Sequence, residues 1–364
     1  MIAQQSINSR AFAYIYRQHL VDNLKAIAAI HPHKKIIVVL KANAYGHGAV
    51  EVAKTLDGLC DYFGVASIEE GVELRQAGVY HTKILIFSGF FAANRTKALI
   101  EFQLIPVIHS KYQYSYLQEY LQAGFAEIWL KINSGMNRLG IDAGTFVDLY
   151  GCLSKQAKPI HVMTHLAESE NTDQSFSQKQ LQFFYSLIKN KKIGNISVFN
   201  SAASLLYPFD DQTNTIRVGL ALYGSCLLPN KYHHVSLKPV MQLQARIIAI
   251  QSVEKNQPVG YNRTYITDKD SQIAIVSIGY GDGYPEKAPT GTPVVINGEI
   301  YPTVGKVSMD LIAVDITEAT DVEIGSVVNL FGETPTVGNI ADKANTSPYA
   351  ILTAINPRVA RIYL

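Results

Sequence analysis

The chain has 364 residues, of which 48% are hydrophobic and 17% charged, with a formal net charge of +2 at neutral pH. That length and apolar content suit a large buried core, built as two domains or as one large α/β unit with an addition. The near-neutral balance without a long basic cluster argues against nucleic acid as a partner, and no apolar run approaches the length of a membrane-spanning helix.

Met1–Arg10 lacks a basic segment followed by an apolar core, so no secretory leader is expected and a cytoplasmic location is the default. Ala11–Ile15 reads as a strand belonging to the second unit. Leu20, Leu24 and Ile27 then share one helical face. Short β-rich runs follow at Lys35–Leu40, Tyr62–Ala66, Ile84–Phe87, Leu104–Ile108, Ile128–Ile132, Ile160–Thr164, Ile196–Phe199 and Ile216–Val218. Amphipathic stretches separate them, one marked by Leu181, Phe184 and Leu187. Strands alternating with helices form right-handed βαβ units, and eight of them predict an α/β fold with an N-terminal (β/α)8 barrel. An open doubly wound sheet of fewer strands is the alternative.

Beyond about Leu237 the helical stripes thin out. Met241–Ile250, Gln272–Ile278, Pro293–Ile296, Leu311–Ile316 and Val327–Phe331 are strand-like, and Asn297-Gly298 suits a two-residue hairpin turn. The expected division is a barrel over residues 1–236 and a β-rich C-terminal domain over 237–364, with Leu228-Pro229-Asn230 as the hinge. Cys60, Cys152 and Cys226 are odd in number and widely spaced, which suits buried reduced thiols rather than a disulfide framework or zinc knuckle.

The most informative residue is Lys41. It leaves the apolar strand Ile36–Leu40 into Ala42-Asn43-Ala44-Tyr45-Gly46-His47-Gly48. Desolvation beside aliphatic residues lowers an ammonium pKa and favours the neutral amine that attacks a carbonyl, although an isolated strand-end lysine more commonly snorkels to water. In a barrel the active site lies at the C-terminal strand ends. Lys41 follows the first strand, Lys131 and Arg138 the fifth, His165 the sixth, Ser201 the seventh and Arg217 the eighth. Singly, Arg217 suits an ion pair, His165 a core imidazole and Ser201 a helix cap; together they suggest a site. Phosphate often binds at the last two barrel loops, here Asn200–Ala203 and Val218-Gly219-Leu220, where Ser201 and Tyr45 would add hydroxyl donors. A phosphate cradle facing an amine nucleophile fits a phosphorylated aldehyde such as pyridoxal 5′-phosphate (PLP).

Val39–Gly48 closely resembles the cofactor-attachment motif of the alanine racemases, and the resemblance extends over nearly the whole chain. It implies that Lys41 carries PLP covalently. Lys131–Gly140 is similar to the segment whose arginine, here Arg138, bonds the PLP phenolic oxygen, and whose lysine, here Lys131, is carbamylated in many members. Asn133 stands where an aspartate is usual. His165 matches the histidine stacked on the pyridine ring and bonded to an arginine, and Arg217 the arginine facing the pyridine nitrogen. An arginine there keeps its proton, leaving the ring a weaker electron sink that favours proton return.

In the second domain, Val259–Asn262 resembles the segment of the tyrosine base, making Tyr261 the second catalytic residue beside Lys41. Tyr280, Met309 and Asp310 match substrate-binding positions, with Lys306 replacing the commoner arginine. Tyr349 matches the tyrosine that limits substrate size, with Ala350 where glutamate is frequent. The resemblance implies two-base interconversion of L- and D-alanine, supplying D-alanine for bacterial cell-wall peptidoglycan, by a homodimer in which the tyrosine comes from the partner subunit. Competing readings are a broader amino-acid racemase, a PLP-dependent decarboxylase, which Arg217 counts against, and a non-catalytic PLP carrier, which the second domain counts against. A metal-dependent hydrolase is weaker, because His109, His161 and His165 form no ligand set.

Overall fold

The structure is a computed structural model describing residues 9–92, 95–122, 127–156, 159–171, 173–206, 211–227 and 235–364. The expected hinge Leu228-Pro229-Asn230 lies outside the described residues. In chain order the strands are β1 (Ala11–Ile15), β2 (Lys35–Val39), β3 (Tyr62–Val65), β4 (Lys83–Ile86), β5 (Leu104–Ile108), β6 (Ile128–Lys131), β7 (Ile160–Met163), β8 (Ile196–Ser197) and β9 (Thr215–Val218). They continue as β10 (Met241–Val253), β11 (Pro258–Val259), β12 (Tyr265–Ile266), β13 (Ser271–Val276), β14 (Pro293–Ile296), β15 (Glu299–Val304), β16 (Ile312–Asp315), β17 (Val327–Phe331) and β18 (Ala360–Tyr363).

Strands β2 to β9 form one eight-stranded parallel sheet in which β2 pairs with both β3 and β9. The sheet closes on itself where the Arg217 N–H donates to the Phe199 oxygen at 2.9 Å. The (β/α)8 barrel, and not an open doubly wound sheet, is therefore the architecture. Its interior is filled by Ile37, Tyr62, Leu85, Ile105, Val107, Trp129 and Met163, all buried. Residues that alternate with these, such as Ile36, Val38, Phe63, Ile84, Leu130 and Val162, face the surrounding helices.

Helix Arg17–Ile30 buries Leu20, Leu24 and Ile27. Helix Ser175–Ile188 is rotated from its sequence stripe: it buries Ser177, Gln180, Phe184 and Ile188, while Leu181 and Leu187 are half-buried. A polar contact overrides hydropathy here. The Gln180 amide oxygen accepts from Ala167 N–H at 2.9 Å, and its nitrogen donates to Ser134 Oγ and the His165 oxygen, both at 3.2 Å.

The second unit is a mainly antiparallel sheet in the order β13-β16-β15-β14-β17-β10-β1-β18, and β10 also pairs with β13. Strand β1 pairs antiparallel with β10 and parallel with β18, so both ends of the described chain meet in this sheet. Strand β15 pairs antiparallel with β14 across the expected Asn297-Gly298 turn, while β11, β12 and β18 and the helices Val337–Lys343 and Pro348–Ala354 add to the elements read from the sequence. The last of these helices and β18 face the barrel, where they contact the turn after Lys41.

Candidate active site

That turn is unlike the glycine loop its composition suggests. Ala42, Asn43, Ala44 and Tyr45 have φ of 53°, 54°, 52° and 53°, a left-handed helical turn of four non-glycine residues. Each costs about 1–2 kcal/mol relative to right-handed backbone, so the surroundings must hold it. Buried His47 donates from Nδ1 to the oxygens of Ala44 and Tyr45 at 3.0 and 2.9 Å. Arg361 Nε donates to the Gly46 oxygen at 3.1 Å and Tyr363 Oη to the His47 oxygen at 3.1 Å. A Cβ on Gly46 would stand 2.0 Å from the Leu352 oxygen, so the second domain packs directly on this main chain.

Lys41 opens into a cavity of about 430 Å³ at the C-terminal end of the barrel. The cavity also meets Tyr45, Lys131, Arg138, His165, Ser201, Arg217, Gly219 and Tyr349. Burial lowers the Lys41 pKa, with Arg138 and Arg217 adding to the effect and Glu70 opposing it. The neutral amine is thereby favoured. Lys131, at the end of β6, is driven to about 8 by burial and then by Arg217, Arg138 and Lys41. Arg138 sits on a loop organised by Asn133, whose Oδ1 accepts from the Gly135 and Asn137 N–H groups, both at 3.1 Å.

Arg217 is buried within β9. Nη1 donates to the Ser197 oxygen and Oγ at 2.8 and 2.9 Å, and Nη2 lies 2.8, 3.0 and 3.1 Å from the Thr164 oxygen, the Val198 oxygen and His165 Nδ1. Burial lowers its pKa to about 10, so it remains a cation at neutral pH. Burial first, and then Arg217, push His165 down to about 2. His165 is therefore a neutral imidazole that accepts at Nδ1.

Ser201 Oγ accepts from the Gly219 and Ala221 amides at 2.8 and 3.3 Å, leaving its own proton for an acceptor in the cavity. A Cβ on Gly219 would stand 2.6 Å from Tyr45 Oη, so glycine here admits the tyrosine as well as close main-chain approach. The Tyr45 ring packs 5.1 Å from Tyr223 and 5.7 Å from Tyr349, and burial raises its pKa. Leu220 is buried in the core, which leaves only its main chain for anything held in the cavity.

The remaining candidates lie elsewhere on the chain. Tyr261 is 67% exposed, and with Gly260, Ser308, Met309, Asp310 and Leu311 it lines a separate surface depression. Tyr280 and Met309 are exposed too, on segments joined by the Tyr280 N–H to Ser308 oxygen bond at 3.1 Å and the Gly281 N–H to Met309 oxygen bond at 2.8 Å. Asp310 pairs with Arg358 and Arg10. The fold thus gathers the barrel candidates into one cavity and leaves Tyr261, Tyr280, Met309 and Asp310 on another face.

Several contributors carried no obvious sequence mark. Phe87, Ser88, Met136, Thr164, Ser169 and Glu170 line the cavity from loops, while His47 and Glu70 support the Lys41 turn. Only Glu70 has a local signal, since Ser67-Ile68-Glu69-Glu70 spells a helix-capping sequence.

Residues 15–226 match the family described as alanine racemase, N-terminal domain, and residues 240–363 match alanine racemase, C-terminal domain. The chain belongs to the alanine racemase family. It is 40% identical over 360 residues to an alanine racemase of Coxiella burnetii, covering 96% of this chain and 98% of that one. The alanine racemase structure from Acinetobacter baumannii matches with a TM-score of 0.91 and 35% identity, covering 98% and 100% of the two chains. The alanine racemase of Bartonella henselae with covalently bound pyridoxal phosphate matches with a TM-score of 0.88 and 29% identity, over 98% and 100%. As to the other readings, among the described residues no group of three or more His, Cys, Asp or Glu could hold a metal ion, and no helix is long and apolar enough to cross a membrane.

Proposed function

We propose that this member of the family interconverts L- and D-alanine using PLP held on Lys41. The observation that carries the reading is the Lys41 amine, its proton affinity lowered, in one cavity with Ser201, Gly219 and the Arg217–His165 pair. These residues fit the cofactor. Ser201 has a proton left for a phosphate oxygen, glycine at 219 keeps that wall free of a side chain, and Arg138 offers a cation across the cavity. Tyr45 and the Leu220 main chain complete the proposed cradle, and Tyr349 bounds the space for the substrate side chain.

When bound, PLP supplies the electron sink that makes the α-proton of an amino acid removable. Lys41 would hold the cofactor, and its amine would move the proton on one face of the substrate. Tyr261 would move it on the other, because one fixed base reaches only one of the two mirror-image faces. Arg217, engaged with five acceptor atoms, orients what it touches and keeps its own proton. Neutral His165 adds no second positive charge beside it. Lys131 is the candidate for carbamylation, because its amine is buried beside the Arg217 and Arg138 cations, whose charge an acquired negative charge would offset.

Since Tyr261 lies outside the Lys41 cavity, we infer a homodimer in which Tyr261, Tyr280, Met309 and Asp310 of one copy complete the site of the other. We also propose that the division between the two units falls at residues 236–237.

The test is incubation of the purified chain and PLP with either enantiomer of alanine in heavy water. Both enantiomers carrying deuterium at the α-carbon are expected, and Lys41→Ala should abolish the exchange. Decarboxylation without racemised product rejects the reading.

A further inference from the structure

Within the left-handed turn the main chain satisfies itself. Ala44 N–H donates to the Leu40 oxygen at 2.8 Å, Gly46 N–H to the Ala42 oxygen at 3.1 Å and Gly48 N–H to the Asn43 oxygen at 3.0 Å. The Ala42 N–H, directly after Lys41, is held from outside. It donates to Glu70 Oε1 at 2.8 Å, while Glu70 Oε2 accepts from the Ala66 N–H at 2.6 Å. Ala66 directly follows β3. Glu70 itself lies in the first turn of helix Ile68–Gln76, where its own N–H donates to the capping Ser67 Oγ at 3.4 Å. In the usual capping box the third-residue carboxylate folds back onto the cap residue's amide. Glu70 instead reaches the end of β3 with one oxygen and the Lys41 turn with the other.

We propose that Glu70 is a positioning residue for Lys41: its two-oxygen bridge from Ala66 to Ala42 aims the lysine into the cavity, an inference that rests on Lys41 being the reactive amine. The bridge needs a carboxylate. Two N–H donors converge on the two oxygens, and an amide would present one acceptor and a conflicting NH2 group. Charge works in the same direction, because Arg138 and Arg217 lower the proton affinity of Lys41 while Glu70 raises it. Glu70 thus sets both where the amine points and how readily it takes back a proton.

The test uses the full-length chain without cofactor, comparing wild type, Glu70→Gln and Glu69→Gln. Glu69 shares the same helical turn but pairs with Arg95 and touches neither bridged amide. Two quantities are read, hydrogen exchange at the Ala42 amide and the pH midpoint for labelling of Lys41 by an amine-reactive anhydride. In Glu70→Gln the Ala42 exchange should quicken about 10- to 100-fold, the expected effect of losing a bond to a charged acceptor. The Lys41 midpoint should move to lower pH, while Glu69→Gln matches wild type in both. Glu70→Asp, which keeps the charge but is one methylene short, should lose the Ala42 protection and keep more of the midpoint, serving also if the glutamine variant folds poorly. With PLP and alanine, Glu70→Gln should lose kcat about tenfold with KM little changed, as expected for misaimed chemistry. Wild-type exchange and labelling in Glu70→Gln, or equal shifts in Glu69→Gln, overturn the proposal. Borohydride reduction of wild type with PLP that marks a lysine other than Lys41 defeats the parent reading instead, and needs no Glu70 variant.

Discussion

Nη2 of Arg217 stands 3.1 Å from Nδ1 of His165 at the floor of the cavity, and the two side chains share a single positive charge. Arg217 keeps it, because its guanidinium lies among the Ser197, Thr164 and Val198 oxygens, whereas His165 is driven to about 2. This division of charge constrains how the site responds to substitution and to acid.

Arg217→Lys should be strongly disruptive although it conserves charge. An ammonium cannot reproduce the fork that serves Ser197, Thr164, Val198 and His165, and several buried acceptors would lose their donors. A loss of about 2–5 kcal/mol in unfolding free energy is expected from urea denaturation of the cofactor-free chain.

Acid should destabilise the fold through histidines that are buried while neutral. His47 and His161 are lowered to about 4 and His165 to about 2, each from an ordinary value of 6.5, with burial the largest cause. A depressed folded-state pKa means that the unfolded chain binds more protons below about 6.5, so their contribution falls with pH from 6.5 toward 4. The slope should be on the order of 1 kcal/mol per pH unit for each histidine. Denaturation series across that window measure it, and His161→Gln should flatten the dependence.

Gly219→Ala should weaken PLP binding by crowding Tyr45, whose hydroxyl would stand 2.6 Å from the new Cβ. Tyr45→Phe removes that oxygen. The double variant should therefore bind PLP better than the product of the single effects allows, a coupling read by fluorescence titration of the cofactor.

Tyr261→Phe should leave stability nearly unchanged, since the side chain is 67% exposed, while racemisation falls by orders of magnitude. Mixing inactive Lys41→Ala and Tyr261→Phe chains should restore about a quarter of wild-type activity if sites are shared across a two-fold dimer, because one site in each mixed dimer keeps both residues. No recovery after subunit exchange would place both bases within one chain.

Lys131, near 8 and ringed by Arg217, Arg138 and Lys41, has a reactive neutral fraction at mildly alkaline pH. Isotope-labelled bicarbonate should give a carbamate signal by carbon NMR that disappears in Lys131→Met.

Much of the architecture was legible in the sequence because period and length are local properties. Strands β5, β14 and β17 fall on their sequence runs, and the other barrel strands lie within a few residues of theirs. The alternation of short apolar strands with helical stripes implied the barrel, and the barrel in turn assigned Lys41, Lys131, His165, Ser201 and Arg217 to one end. Helix Ser175–Ile188 marks the limit of such reading. Hydropathy selected Leu181 and Leu187, while Gln180 turned inward to serve amides and oxygens supplied by distant loops.

The sequence by itself determined the strand ends at which Lys41, Lys131, Arg138, His165, Ser201 and Arg217 are presented, all of which meet one cavity. Only the tertiary structure decided that Lys41 leaves its strand through a left-handed turn, since no alanine or tyrosine prefers that backbone and Glu70, His47, Arg361 and Tyr363 must impose it from outside. It also decided that His165 is neutral and that Tyr261 stands apart from Lys41. Both follow from distances between segments far apart in the chain, and composition and periodicity are blind to such distances.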